Sequence, residues 1–124
     1  MIARGWKLDA EDRALLLRRF PPAWPDVVAD HVTFTSRDAE EELPPDADHG
    51  MVVGHVDDGE GLQALVIEIE GTTARPDGST YHITWSIDRA RGRKPKDSND
   101  ALARSCWNPL DDPLPVRLIP ASWP

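Results

Sequence analysis

One four-residue pattern occurs twice in the chain, as His31-Val32-Thr33-Phe34 and His82-Ile83-Thr84-Trp85. Each copy reads histidine, β-branched apolar residue, threonine, aromatic. In an extended strand, residues two apart share a face. Each copy therefore sets a histidine and a threonine on one side and an apolar pair on the other. Two such strands side by side bring two imidazoles and two hydroxyls to one small space. Imidazole is the side chain that gives or takes a proton near neutral pH. One neutral and one protonated ring supply the base and the acid that cleavage of a phosphodiester needs, each contributing about 10²–10⁴-fold in rate. Threonine hydroxyls supply hydrogen bonds to the non-bridging oxygens, which count most where charge builds in the transition state. This chemistry calls for no metal and no cofactor.

The elements that must position these residues are short. Residues 9–19 read as a helix, with Asp9 as N-cap, acids in the first turn and arginines in the last. Phe20-Pro21-Pro22 stops it. Residues 29–36 form the first motif strand, rich in β-branched and aromatic residues. Residues 37–50 are an acidic, proline-bearing loop. Residues 51–56 and 62–70 flank the turn-like Asp57-Asp58-Gly59-Glu60-Gly61 as a hairpin. Its second strand alternates as if one face were buried. Residues 71–80 are a loop with Pro76-Asp77-Gly78 as its turn. Residues 81–87 are the second motif strand. A short helix starts at Ser98 or Asn99. After a proline-rich stretch, 109–115, residues 116–119 make a last strand.

At 124 residues the expectation is one domain, 1–124. No apolar run approaches a membrane span. The first ten residues lack the apolar core of a secretion signal. The one cysteine, Cys106, excludes an internal disulfide, so a reducing, cytoplasmic setting is expected. Cys106 itself reads as a buried small apolar group. The net charge of −8 excludes a general nucleic-acid binder. Charge is uneven, however. Asp38, Glu40, Glu41, Glu42, Asp46 and Asp48 make an acidic run, and Arg89, Arg91, Arg93, Lys94 and Lys96 make a basic run just after the second motif. The basic run lies beside the candidate phosphate site. Lys94, Lys96 and Asn99 are the candidates for substrate contacts outside the central phosphate.

The paired motif resembles that of the 2H phosphoesterase superfamily, whose members carry two His-x-Thr/Ser-x motifs with x usually apolar. The segment from Lys94 to Leu102 is similar to the one after the second motif in the cyclic phosphodiesterase domains of fungal tRNA ligases, where a proline precedes a Ser-Asn pair and a leucine. Trp24 to Asp30 is similar to the same group. The resemblance implies an α+β, two-lobed fold, with antiparallel strands around a central cleft and few short helices. It implies metal-independent hydrolysis of a 2′,3′-cyclic phosphate, on a nucleotide or an RNA end, to a monoester. Family precedent favours a 2′-phosphate product, as in RNA repair or processing. By this resemblance His31 and His82 are the acid/base pair, and Thr33 and Thr84 bind phosphate oxygens. The motif leaves either histidine in either role. The short, acidic chain points to a small or terminal substrate. Two other readings stand beside this one. One is hydrolysis of another cyclic nucleotide or oligonucleotide phosphodiester. The other is a non-catalytic module that binds nucleotides or RNA ends.

His49 and His55, with Asp48 and Asp57, invite a metal reading, but their spacing matches no recognised ligand set; none is expected. Phe34, Tyr81 and Trp85 belong on the face opposite the histidines, as core. Trp24 and Trp107 are unselected candidates for stacking a base.

Overall fold

The computed structural model describes residues 3–35, 46–76, 78–104 and 107–123. Its strands are β1 (Ala3–Leu8), β2 (Asp26–Val27), β3 (His31–Thr35), β4 (His49–Asp57), β5 (Leu62–Glu68), β6 (His82–Ile87) and β7 (Asn108–Trp123). The helices are α1 (Ala10–Arg19) and α2 (Asp97–Arg104), with a 3₁₀ turn at Arg89–Arg91. The sheet runs β2-β6-β3-β1-β7-β4-β5, and β6 also pairs with β5. That last pairing closes six antiparallel strands into a barrel, with β2 attached to β6 at Ser86 and Ile87. Closure removes the exposed edges that an open sheet would offer to other chains.

The α+β class and the antiparallel strands are as expected. The two lobes are not: the strands share one continuous sheet. The reason lies in β1 and β7. β1 pairs with β3 on one side and β7 on the other, and β7 pairs in turn with β4. These two strands bridge the motif strand β3 to the β4–β5 hairpin. β1 escaped the sequence reading, and β7 runs from Asn108 to Trp123 rather than over 116–119.

The barrel interior holds Trp6, Val32, Phe34, Val52, Leu65, Ile67, Ile83, Trp85, Val116 and Leu118 among others, all buried. Phe34 and Tyr81 meet Trp6 edge-on at 6.2 and 6.1 Å, a favoured aromatic geometry. Both indoles of this core are satisfied: Trp6 Nε1 donates to the Ala47 carbonyl at 3.1 Å and Trp85 Nε1 to the Phe20 carbonyl at 2.7 Å. The Trp85 bond fastens the end of α1 over the barrel. α1 begins as expected, with the Asp9 carboxylate accepting from the Asp12 amide at 3.1 Å.

A second cluster lies outside the barrel. Ala101 and Leu102 of α2 cover Leu62, Ala64 and Val66 of β5, with Val56 and Ile87. β5 is therefore buried on both faces, not on one as its alternation suggested. No helix among the described residues is long and apolar enough to cross a membrane.

Candidate active site

Val32 and Ile83 pair across β3 and β6. Both point inward, with Phe34 and Trp85. The alternate residues, His31, Thr33, His82 and Thr84, therefore face out of the barrel wall. The site is a roofed pocket on the flank of the barrel rather than a central cleft between lobes. Its roof comes from two segments: the hairpin-like 69–80 loop, held by bridges Ile69↔Thr72 and Ala74↔Thr80, and the start of α2. The resulting cavity of about 180 Å³ is lined by His31, Thr33, Arg75, His82, Thr84, Pro95, Lys96 and Asn99.

His82 is 9 % exposed. Its Nδ1 lies 2.9 Å from the Thr80 carbonyl oxygen. A carbonyl only accepts, so Nδ1 carries the proton and Nε2 is left as an acceptor. Burial pushes the imidazolium form down in stability. The Thr80 bond opposes this, and the charges of Arg75 and His31 add to it, leaving a pKa of about 4. At neutral pH His82 is a neutral ring with a basic nitrogen.

His31 has the opposite setting. Its Nδ1 is 3.0 Å from Asp30 Oδ2, and 28 % of its side chain is exposed. Burial pushes the Asp30 carboxyl up, but the hydrogen bonds from Lys7 and His31 outweigh it and hold the carboxyl below its ordinary range. Asp30 is thus a carboxylate, His31 Nδ1 must donate to it, and an imidazolium here faces an anionic partner. Lys7 Nζ, 2.5 Å from the same oxygen, fixes Asp30. Local backbone shape helps. Ala29 takes a positive φ of 42°. There the chain leaves β6, where Ala29 N donates to Thr84 O, and joins β1, where Leu8 N donates to Asp30 O.

The two threonines differ as well. Thr33 lines the cavity from β3. Thr84 Oγ1 lies 3.1 Å from the Pro95 carbonyl and 2.8 Å from Ser98 Oγ. Pro95 O only accepts, so Thr84 spends its single proton there and receives one from Ser98, which is fully buried. Thr84 thus pins the start of α2 to β6, and its expected donation to a phosphate oxygen is not the bond it makes. Ser98, read from the sequence only as a helix cap, is the hidden partner.

Of the basic run, Lys96 reaches the cavity. Lys94 is exposed and outside the lining; its backbone amide donates to Asp97 at 2.9 Å, which starts α2. Arg91 and Arg93 pair with Asp88 and Asp58. Asn99 lines the cavity and ties two parts of its roof together. Its Oδ1 accepts from Arg75 Nη2 at 2.5 Å, and its Nδ2 donates to the Lys96 carbonyl at 3.1 Å. Arg75 escaped the sequence reading. It stands alone in a turn-bearing loop, away from the basic run, and its only cue is that the loop leads into the second motif strand.

The other candidates lie elsewhere. His49 is exposed and bonded to Asp48 at 2.8 Å. His55 stacks on Phe20 at 5.8 Å and accepts from Gln63 Nε2 at 3.1 Å, its pKa lowered by burial. Six residues apart on one strand, the two rings are about 20 Å apart and share no ligand space. Among the described residues no group of three or more metal-ligating side chains forms. Trp24 donates to Asp57 at 3.1 Å with Arg91 over its ring, and Trp107 packs against Gly54, leaving no room there for a Cβ. Cys106 and most of the acidic run lie outside the described residues.

Compared with known proteins, the chain matches no protein-family model, no curated protein and no solved structure.

Proposed function

We propose that the protein is a phosphodiesterase of the two-histidine kind, opening a 2′,3′-cyclic phosphate at a nucleotide or RNA end. One observation carries this reading. Two histidines 51 positions apart in the chain line one small cavity, each with its Nδ1 held by a hydrogen bond. Their settings support distinct roles. His82, neutral, takes a proton from the attacking water. His31, with Asp30 behind it, gives a proton to the departing ribose oxygen. Phosphorus gains the water oxygen, loses one ribose oxygen, and the histidines exchange protonation states until solvent resets them.

Substrate size follows from the cavity. At about 180 Å³ it falls below the ~300–1,000 Å³ of typical small-molecule sites. A ribose cyclic phosphate is the right scale, with the base or preceding nucleotide outside. This favours a terminal substrate over a cyclic oligonucleotide. Thr33 and Lys96 are the remaining contacts to the phosphate and its surroundings. The resemblance to the 2H superfamily rests in this proposal on the motif pair, not on the outline of the fold. A cytoplasmic setting belongs to the same proposal. The test is incubation with a 2′,3′-cyclic mononucleotide in the presence of chelator, followed by phosphorus NMR. The expected product is a single monoester, the 2′-phosphate. No turnover, or turnover abolished by chelator, defeats the reading.

A further inference from the structure

Arg75 is 8 % exposed and lines the same cavity as both histidines. Its guanidinium is held at three corners: Nε donates to Ser79 Oγ at 2.6 Å, Nη1 to the Thr33 carbonyl at 3.3 Å, and Nη2 to Asn99 Oδ1 at 2.5 Å. These three oxygens belong to three different segments: the 69–80 loop, β3 and α2. Orienting a planar cation so firmly costs side-chain entropy. Placing it in a largely buried site costs solvation too. Structure alone offers a cheaper way to join three segments.

We infer that Arg75 is the anion-holding residue of the site, presenting its fixed guanidinium to the non-bridging oxygens of the substrate phosphate in the role the sequence assigned to Thr84. The proposal rests on the reading of the cavity as a phosphate site and adds to it the residue and its positioners, Ser79 and Asn99. Arginine suits this because its fork matches two phosphate oxygens at once. A cation already in place stabilises developing negative charge without reorganisation at the moment of reaction. The charge of Arg75 also helps to keep His82 neutral. An anion bound between them offsets that charge, so the base gains strength when substrate is present.

The experiment compares the full-length wild-type chain with R75Q, R75K, N99A and H31A. Two readouts are taken: kcat and KM on a 2′,3′-cyclic mononucleotide, and binding of inorganic phosphate followed through the His82 ring resonances. R75Q is expected to lower kcat/KM by about 10²–10³-fold, the loss typical of a missing oxyanion donor. It should also abolish phosphate binding that H31A retains. R75K keeps the charge without the fork, and N99A removes one corner of the support; each is expected to lose about tenfold in kcat/KM. R75Q with wild-type phosphate affinity, or with kcat/KM within threefold of wild type, overturns the inference. Should R75Q fail to fold, R75K decides, and a wild-type rate there overturns it. Phosphate binding that depends on Arg75 without any turnover of cyclic phosphate leaves the anion site standing while the phosphodiesterase reading falls. Turnover indifferent to Arg75 does the reverse.

Discussion

The two motif strands, β3 and β6, carry the same four residue types but differ in what lies behind each reactive group. On β6 the histidine is buried, bonded to a backbone carbonyl and faced by Arg75; on β3 it is partly exposed and bonded to a carboxylate held by Lys7. The threonine of β6 is spent on fastening α2, while that of β3 faces the cavity. A repeated motif thus ends as an asymmetric pair. Acid/base catalysis requires that asymmetry, because two identical imidazoles at one pH favour the same protonation state.

The strongest way to break the comparison is to delete either ring. H31A and H82A are each expected to lose about 10²–10⁴-fold in kcat, with circular dichroism unchanged. A variant that keeps full activity removes that histidine from the mechanism.

The pH dependence sharpens it next. The pKa of His82 is lowered to about 4, so the acid limb of kcat/KM should fall near that value. The limb for kcat should lie at higher pH, because bound anion favours the imidazolium. An acid limb of kcat/KM at the ordinary histidine value refutes the assignment of the base. The same burial acts on stability. The folded pKa is depressed from 6.5, so this contribution is intact above pH 6.5 and is lost as the pH falls through 4. The full loss is on the order of 3 kcal/mol at about 1.4 kcal/mol per unit, read from urea midpoints across that window. A midpoint that stays flat down to pH 4 contradicts it.

Asp30 gives a smaller effect. D30N keeps an acceptor but removes the charge behind His31, so kcat should fall while the acid limb of the rate profile stays put. Movement of the acid limb instead would reverse the two roles. The threonines give the smallest. T84A should lower stability by about 1–3 kcal/mol, since Ser98 and the Pro95 carbonyl lose a buried partner, and T84S should recover it. T33A should leave the melting temperature nearly unchanged and slow the reaction about tenfold, less than the ~10²–10³-fold loss of a full oxyanion donor. Equal thermal losses in T33A and T84A would erase the distinction drawn between them.

Much of the fold was legible. α1 announces itself through Asp9 and its charge gradient, and β3 and β6 through their β-branched and aromatic residues, while β5 was legible as a strand but not as one buried on both faces. The inward placement of Phe34, Tyr81 and Trp85 follows from the two-residue period of a strand. β1 was illegible because Ala3-Arg4-Gly5-Trp6-Lys7-Leu8 mixes charge and glycine into a run of six. Gly5 there is dictated by tertiary contact, since a Cβ would strike the Val32 carbonyl. β7 was hidden by Pro109, Pro113, Pro115 and Pro120, which argue against an interior strand. It tolerates them partly through a break in register, where Val52 meets Leu114 but Gly54 meets Pro109.

The candidate site divides in the same way. His31, Thr33, His82 and Thr84 were legible as a group because residue type and strand period decide what a face can offer, and Lys96 and Asn99 because they closely follow the second motif in the chain. Arg75 and Ser98 were not, because nothing local marks a loop arginine or a helix-start serine as facing a strand.

The sequence by itself determined which side chains of β3 and β6 share a face and what chemistry they can perform, since both follow from residue type and a two-residue period. The tertiary structure alone decided which ring is buried and neutral, which carboxylate stands behind the other and which cation shares the cavity. Proton affinity is governed by burial and by charges a few ångströms away, and around His82 those come from Thr80, Arg75, His31 and the start of α2, which only the closed barrel brings together.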